Sequence, residues 1–239
     1  MNKLFERDFT MVVIGQIISL FGNAILRFAL PLYLLRETDS STLFGAVTAC
    51  AFIPMVIFSL FGGVIADRKN KRNIMVALDF TTAAVILIFN FALGKVSLVP
   101  LMIAALMILY GISGIYQPAV QASIPLIVEK QFLMQGNAVI NMVSTLAGLL
   151  GPIIGGVLFS AFGIMPILFI SVGCFVVSAV MEIFIHIPFE KNTDGKSIFG
   201  AMGSDLSDSF QFIKNEKPIF LSALGILALF NLILPTSRI

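Results

Sequence analysis

The sequence predicts an all-α membrane protein. Of its 239 residues, 58% are hydrophobic and only 12% are charged, and the mean hydropathy is +1.02. A soluble domain carries about 25% charged residues, so this chain has too little polar surface to enclose a water-soluble core. Apolar stretches of about 20 residues, long enough to cross the hydrocarbon as helices, alternate with short breaks that contain charges, proline or glycine. A bundle of membrane-spanning helices follows from these observations.

The apolar stretches predict seven membrane spans. Lys3 and Arg7 precede the first one in the manner of a secretion signal. That apolar run is longer than the hydrophobic region of a signal, and no small-residue cleavage site follows it, so we expect it to remain as the first span. The seven spans are predicted at residues 9–35, 43–66, 74–94, 98–121, 137–160, 166–187 and 218–235.

Lysine and arginine are distributed unevenly between the two sets of connecting segments. With the N-terminus on the inner side, eleven of them fall on that side and two, Arg36 and Lys95, on the outer side. Cytoplasmic loops carry an excess of Lys and Arg because translocating them is unfavourable. We therefore expect a multi-pass protein of the inner, cytoplasmic membrane with its N-terminus in the cytoplasm.

The longest polar stretch, residues 188–217, follows the sixth span. Apolar residues recur in it at helical spacing opposite polar ones, which predicts an interfacial helix within a cytoplasmic linker; a linker without regular structure is the alternative. We expect three parts in the chain: a six-helix bundle over residues 1–187, this linker, and the start of a second bundle over residues 218–239.

Polar side chains inside the spans form stripes along single helix faces. Polar groups in hydrocarbon are costly, and those present usually face the bundle interior or a water-filled path. A spacing of three or four residues predicts a candidate cavity lined by Gln16, Asn23, Arg27, Ser113, Gln117, Gln121 and Asn141. Hydrogen bonding between packed helices is the alternative for each uncharged member. We expect spans one, four and five to supply these faces, and spans three and six to meet lipid.

Three charged residues within the spans need separate explanations. A cation such as Arg27, near the middle of a span, costs on the order of 3 kcal/mol on insertion scales, so it needs water, a counter-charge or a ligand. Asp79 and Glu182 are candidates for carrying a proton or relaying charge. The alternative, favoured by their positions toward the cytoplasm, is that they reach water or pair with nearby Lys or Arg.

The turn after the second span carries a spaced set of residues: Gly63, Asp67, Arg68, Lys71 and Arg72. This pattern resembles the signature loop between helices two and three of the major facilitator superfamily, with Asn70 in place of the usual glycine before the final cations. The resemblance implies a gating loop. In such a loop the glycine allows close helix approach, and the aspartate anchors charge contacts that are made and broken as two halves of a transporter move.

The fifth span contains a run of glycines with one proline: Gly148, Gly151, Pro152, Gly155 and Gly156. This run resembles the motif that marks the antiporter branch of the same superfamily, where it is thought to seal exporters against leak. Proline bends a helix and glycine allows a neighbour to pack closely. An ordinary glycine interface between membrane helices is the alternative.

The wider pattern over residues 9–235 resembles the macrolide-efflux and siderophore-exporter group of the superfamily; one of the matching stretches is Gln117-Pro118-Ala119. The resemblance implies a six-helix major facilitator N-terminal bundle plus a partial seventh span. It also implies ion-coupled export of an amphiphilic small molecule by alternating access. Many drug antiporters of the superfamily carry an acid in the first span and an arginine in the fourth. Here the first span carries Arg27 and the fourth has no arginine, which leaves the proton carrier open.

Transporters of this kind consist of two bundles with the substrate site between them. The expected partners are therefore the lipid bilayer, a small-molecule substrate, and a second bundle; we expect the chain to be a fragment, with a separate half-transporter or a second copy as alternatives. A truncated inactive remnant, or a membrane-interaction subunit without transport of its own, is the competing function. We expect no enzyme activity, cofactor, metal site or nucleic-acid partner, because no nucleophile, base and orienting group share a plausible site.

Overall fold

The structure, a computed structural model, describes residues 4–188, and all regular structure there is helical. A 3₁₀ turn at Lys130–Phe132 precedes the fifth helix. Six of the described helices are long and apolar enough to cross a membrane, so the protein is a multi-pass membrane protein, as predicted. The helices are Arg7–Thr38 (α1), Ser41–Arg68 (α2), Lys71–Ala92 (α3), Leu98–Ile127 (α4), Leu133–Phe162 (α5) and Ile164–Ile183 (α6).

The first six predicted spans agree with these helices to within a few residues. The largest difference is at α4, which continues past the predicted end at residue 121 to Ile127 and includes both Pro118 and Pro125. Proline removes one backbone hydrogen bond, but membrane helices tolerate it where neighbouring groups satisfy the backbone. The predicted linker with its interfacial helix and the predicted seventh span lie outside the described residues.

Local chemistry explains where the helices begin and end. Asp39 follows α1 in the left-handed conformation, with φ 47°, and the Ser40 hydroxyl then accepts a hydrogen bond from the Leu43 amide at 3.3 Å to begin α2. Asn70, which departs from the signature loop, caps α3 by accepting from the Arg72 amide at 3.0 Å. Gly163 connects α5 to α6 with φ 74°, a conformation that favours glycine.

The bundle is built around α1, which packs against both α5 and α6. The helix α2 packs against α4, and α3 packs against α4 and α6. Two apolar clusters result, one that includes Leu30 and Leu106, and another that includes Phe9 and Met75. In the sequences of α1 and α3, the buried polar residues lie between the residues that belong to one cluster and those that belong to the other. The interior is therefore apolar at both ends with a polar layer between them.

The helices α2 and α4 touch through their backbones. A Cβ atom added to Gly114 would lie 2.6 Å from the Met55 carbonyl oxygen, and one added to Gly62 would lie 2.7 Å from the Gly114 carbonyl oxygen. A Cβ added to Gly63 would meet nothing within 4 Å of the described residues. Its neighbour Gly62 makes the close approach instead, since adjacent residues point in different directions around a helix.

The helices α1 and α5 meet at the glycine run. A Cβ on Gly151 would collide with Ala24, and one on Gly155 would lie 3.1 Å from the Ile25 carbonyl oxygen. A Cβ on Gly148 meets nothing within 4 Å among the described residues. The glycine run therefore allows the close packing of α5 on α1 that its composition predicts, through its central members.

Candidate functional site

A cavity of about 550 Å³ lies between α1, α2, α4 and α5. Its lining combines amide, hydroxyl and guanidinium groups with apolar surface. The polar members are Asn23, Arg27, Ser113, Gln117, Gln121 and Ser144, and the larger apolar and aromatic members are Leu20, Phe28, Met55, Tyr110 and Pro152. Clefts of this size and mixed composition accommodate drug-sized molecules.

Five of the seven residues expected in the cavity line it: Asn23, Arg27, Ser113, Gln117 and Gln121. Gln16 does not, because it is buried against Tyr116. Asn141 is exposed on α5 and is not part of the lining.

The sequence reasoning also missed two lining residues that carry a hydroxyl group, Tyr110 and Ser144. Tyr110 precedes Ser113 by three residues on α4, and Ser144 precedes Gly148 by four residues on α5. Extending the pattern on each helix by one turn would therefore have predicted both residues.

Arg27 is held in the cavity by an aromatic ring. Its guanidinium carbon lies 3.9 Å from the centroid of the Tyr110 ring, and Phe52 contacts that ring edge-on with centroids 5.0 Å apart. Cations are attracted to the face of an aromatic ring. The guanidinium atoms Nε and Nη2 are buried without a hydrogen-bond partner. Within residues 4–188, Arg27 is the only charged residue that lines the cavity.

One wall of the cavity contains a hydrogen bond between α1 and α4. The Asn23 amide nitrogen donates to the Ser113 hydroxyl at 3.2 Å, and that hydroxyl donates to the Leu109 carbonyl at 3.1 Å. The amide group of Asn23 is thereby oriented at the cavity wall.

A second polar group lies outside the cavity, where α1, α3, α4 and α6 meet. We call it the carboxyl cluster; its members are Gln16, Ser19, Asp79, Tyr116, Ser178 and Glu182. The Tyr116 hydroxyl donates to Glu182 Oε1 at 2.6 Å and accepts from Gln16 Nε2 at 2.8 Å. The Ser19 hydroxyl donates to Asp79 Oδ1 at 3.1 Å. Asp79 and Glu182, distant in sequence, are close enough to interact electrostatically.

The two acids of the carboxyl cluster correct a sequence-based expectation. Asp79 is 1% exposed and Glu182 is 2% exposed, so neither reaches water. Neither forms an ion pair with a Lys, Arg or His side chain of residues 4–188. The expectation was wrong because α3 and α6 pack against each other and against α1, which turns these positions inward. Their outer faces carry exposed apolar side chains, among them Phe91 and Phe169.

Three oxygen atoms of the carboxyl cluster have unused hydrogen-bonding capacity. Asp79 Oδ2, Glu182 Oε2 and Gln16 Oε1 are buried without a hydrogen-bond partner. Unsatisfied buried acceptors are uncommon in folded proteins and call for an explanation such as a bound proton, ion or water.

The residues of the signature loop lie at the junction of α2 and α3. Gly63, Asp67 and Arg68 belong to the end of α2, and Lys71 and Arg72 to the start of α3. Because consecutive helices alternate in direction, this junction is at the same end of the bundle as the N-terminus. The backbone amide of His186 donates a hydrogen bond to the Asp8 carboxylate at 3.1 Å. This bond holds the last described residues at the same side of the bundle as the N-terminus.

Secondary transporters are one class of protein built from helical membrane bundles with a binding site inside the membrane. A sequence profile of the Major Facilitator Superfamily matches residues 12–237. The chain belongs to this superfamily, as its motifs predicted.

Several curated proteins are similar to the chain. It is 24% identical over 185 residues to the macrolide efflux protein A of Streptococcus pyogenes, covering 77% of this chain and 46% of that protein. It is 21% identical over 211 residues to a staphyloferrin A transporter of Staphylococcus aureus, covering 87% of this chain and 52% of that protein. An enterobactin exporter of Shigella boydii is 25% identical over 158 residues, or 65% of this chain and 38% of that protein. The chain thus spans about half the length, or less, of these relatives.

Proposed function

We propose that the chain forms one half of an ion-coupled exporter, which moves an amphiphilic small molecule out of the cell by alternating access. The observation that carries the proposal is the cavity of about 550 Å³ between α1, α2, α4 and α5. Membership of the superfamily and similarity to proteins named for efflux support it.

The chemistry of the cavity supports an amphiphilic cargo. Apolar walls at Leu20, Phe28 and Met55 favour a hydrocarbon or aromatic body, while amides at Gln117 and Gln121 offer both donors and acceptors to polar groups. Most binding sites for small molecules have this combination, in which apolar contact provides affinity and a few polar groups fix orientation.

The carboxyl cluster supports coupling to protons. An ionised carboxylate without a counter-charge is costly to bury, and two adjacent negative charges repel each other. Asp79 and Glu182 combine both conditions. Binding and release of one proton would change the charge of a site that lies within the bundle and separate from the cavity. This makes the two acids the proposed proton carriers of the half described.

Alternating access requires a second bundle that rocks against this one around a site near the midplane. The proposal therefore includes a second bundle, contributed by a longer chain, a separate half or another copy. The direct backbone contacts of α2 with α4 and of α1 with α5 support movement of the present bundle as a rigid body. The basic α2–α3 junction is the proposed cytoplasmic gating loop, and the glycine run of α5 the proposed seal.

Flux measurements in proteoliposomes test the proposal. Labelled macrolide and enterobactin serve as probes, with an imposed pH gradient, for this chain alone and for this chain together with a candidate second half. We expect gradient-driven flux of at least one probe when both halves are present. Absence of flux of both probes in both preparations would favour an inactive remnant or a membrane-interaction subunit.

A pair of variants tests the carboxyl cluster in the same assay. Glu182→Gln removes a buried acid, and Glu37→Gln makes the same chemical change at an exposed position of α1. We expect Glu182→Gln to abolish the response to the pH gradient while passive exchange of cargo persists, and Glu37→Gln to behave as the parent. Equal responses of the two variants to the gradient would exclude Glu182 as a proton carrier.

A further inference from the structure

The positive charge of Arg27 in the cavity indicates the chemical class of the cargo. Resting on the function proposed above, we infer that the cavity selects amphiphilic anions and that Arg27 binds their acidic group. This inference concerns the chemical class of cargo, and it can fail while export itself stands.

The planar face of the Arg27 guanidinium contacts an aromatic ring, whereas part of its edge makes no hydrogen bond. Its face stacks on Tyr110 at 3.9 Å, whereas the edge atoms Nε and Nη2 are buried without a hydrogen-bond partner. Arginine presents its donors in a planar fork that matches a carboxylate, sulfonate or phosphate. The stacking limits rotation of this fork, so part of the entropic cost of binding an anion is already met.

Among the described residues, the cavity lining offers Arg27 no counter-charge. None of its lining residues is Asp or Glu, and the two buried acids belong to the carboxyl cluster, where no contact with Arg27 is found within residues 4–188. A cation in a membrane span requires water, an acid or an anionic ligand. A cationic amphiphile in the cavity would meet repulsion from Arg27, whereas an anionic one would supply the missing partner.

The neighbours of Arg27 complete an amphiphile-binding surface. Asn23 lies one helical turn away on α1, and its side chain is held at the wall by its hydrogen bond to Ser113. Phe28 and Met55 provide apolar surface in the same cavity. A molecule with an acidic group and an aromatic or aliphatic body would therefore contact the guanidinium with its acid and these walls with its body.

Two fluorescent probes that differ by one charge test the inference. Anilinonaphthalene sulfonate is an anion, and phenylnaphthylamine is the same ring system without the sulfonate. The chain contains no tryptophan, so Phe28→Trp in the cavity wall gives it a single indole. Saturable quenching of this indole, above the linear quenching by probe dissolved in the lipid, measures binding of either probe. The purified chain is placed in vesicles of neutral phosphatidylcholine, which contain no other protein and no net surface charge, so that neither a second indole nor the surface potential biases the comparison.

The charge variants are then compared in this background. We expect the sulfonate probe to bind more tightly than the neutral probe. Arg27→Gln should weaken the sulfonate probe by about tenfold or more, the usual effect of losing a charge-assisted hydrogen bond, and leave the neutral probe unchanged. Arg27→Lys should restore part of the preference, since it keeps the charge but not the fork. Arg36→Gln, at the end of the same helix and outside the cavity lining, should alter neither affinity.

Two results would overturn the inference. If both probes bind the Phe28→Trp chain with equal affinity, the charge of Arg27 does not select anions. This comparison needs no substitution at Arg27. Equal loss of both probes in Arg27→Gln means that the residue only shapes the cavity. Absence of saturable quenching by either probe in the Phe28→Trp chain would count instead against the cavity as a cargo site, and hence against the proposed function as well.

Discussion

Replacing Gly114 with alanine should destabilise the bundle, because α2 and α4 touch through their backbones there. The added Cβ would lie 2.6 Å from the Met55 carbonyl oxygen and 3.1 Å from the Ser59 amide nitrogen. Ordinary contact begins at 3.4 Å, so the helices have to separate by about 0.8 Å along the line to Met55. Forcing a methyl group into a packed contact costs about 1–3 kcal/mol in free energy of unfolding.

A matched variant removes the effect of helix propensity. Alanine is a better helix former than glycine by about 1 kcal/mol, which offsets part of the expected loss. Gly45→Ala brings the same gain at an exposed position of α2, where a Cβ meets nothing within 4 Å of the described residues. The difference between the two variants therefore isolates the packing cost.

Thermal unfolding in detergent measures this difference. A thiol-reactive dye reports exposure of Cys50 in α2 and Cys174 in α6, both of which are half-buried in the folded bundle. For chains of this size, 1 kcal/mol corresponds to about 2–4 °C in melting temperature, so Gly114→Ala should melt about 2–12 °C below Gly45→Ala. A melting temperature of Gly114→Ala equal to or above that of Gly45→Ala would refute the reasoning.

Three further predictions address the carboxyl cluster, the α1–α5 contact and the topology. Tyr116→Phe should lower stability by about 1–3 kcal/mol in the same melting assay, because Glu182 Oε1 loses its donor in a buried site. Gly151→Val should push α5 away from α1 and increase passive proton leak into proteoliposomes, measured with an entrapped pH dye. A membrane-impermeant maleimide should label Lys95→Cys on intact cells and label Lys69→Cys only after the cells are opened.

Each of these predictions has its own control. Tyr33→Phe removes a hydroxyl for which no hydrogen bond is found among the described residues, so it should leave stability unchanged; a similar loss in both tyrosine variants would contradict the first prediction. Gly173→Val adds the same side chain at an open position of α6, and equal leak in both valine variants would contradict the second. Labelling requires Cys50 and Cys174 to be replaced by serine, and labelling of position 69 on intact cells would reverse the proposed orientation.

The membrane spans could be predicted because the solvent imposes them. Backbone groups cannot remain unpaired in hydrocarbon, so an apolar stretch of sufficient length has to be helical. The choice between neighbouring glycines could not be predicted in the same way. Gly62 and Gly63 are both small, and only the direction in which α2 meets α4 decides that Gly62 makes the contact.

The candidate site could be predicted only in part for a similar reason. Periodicity puts Gln16, Asn23 and Arg27 on one face of α1, and they do share that face. The part of α4 opposite this face changes along its length, so Gln16 meets Tyr116 while Arg27 meets Tyr110. The proximity of Asp79 to Glu182 depends on the packing of α3 against α6, which no local pattern in the sequence reports.

The polar face of α1 contributes residues to both the cavity and the carboxyl cluster. Ser19 contacts the acid of α3, and Asn23, one turn farther along, contacts the wall of the cavity. A turn of helix is about 5.4 Å long and transmits displacement as a rigid rod. Any shift of α1 that accompanies occupancy of one site is therefore felt at the other. If the carboxyl cluster binds protons and the cavity binds cargo, as proposed, thermodynamic linkage requires each to alter the affinity for the other by the same factor.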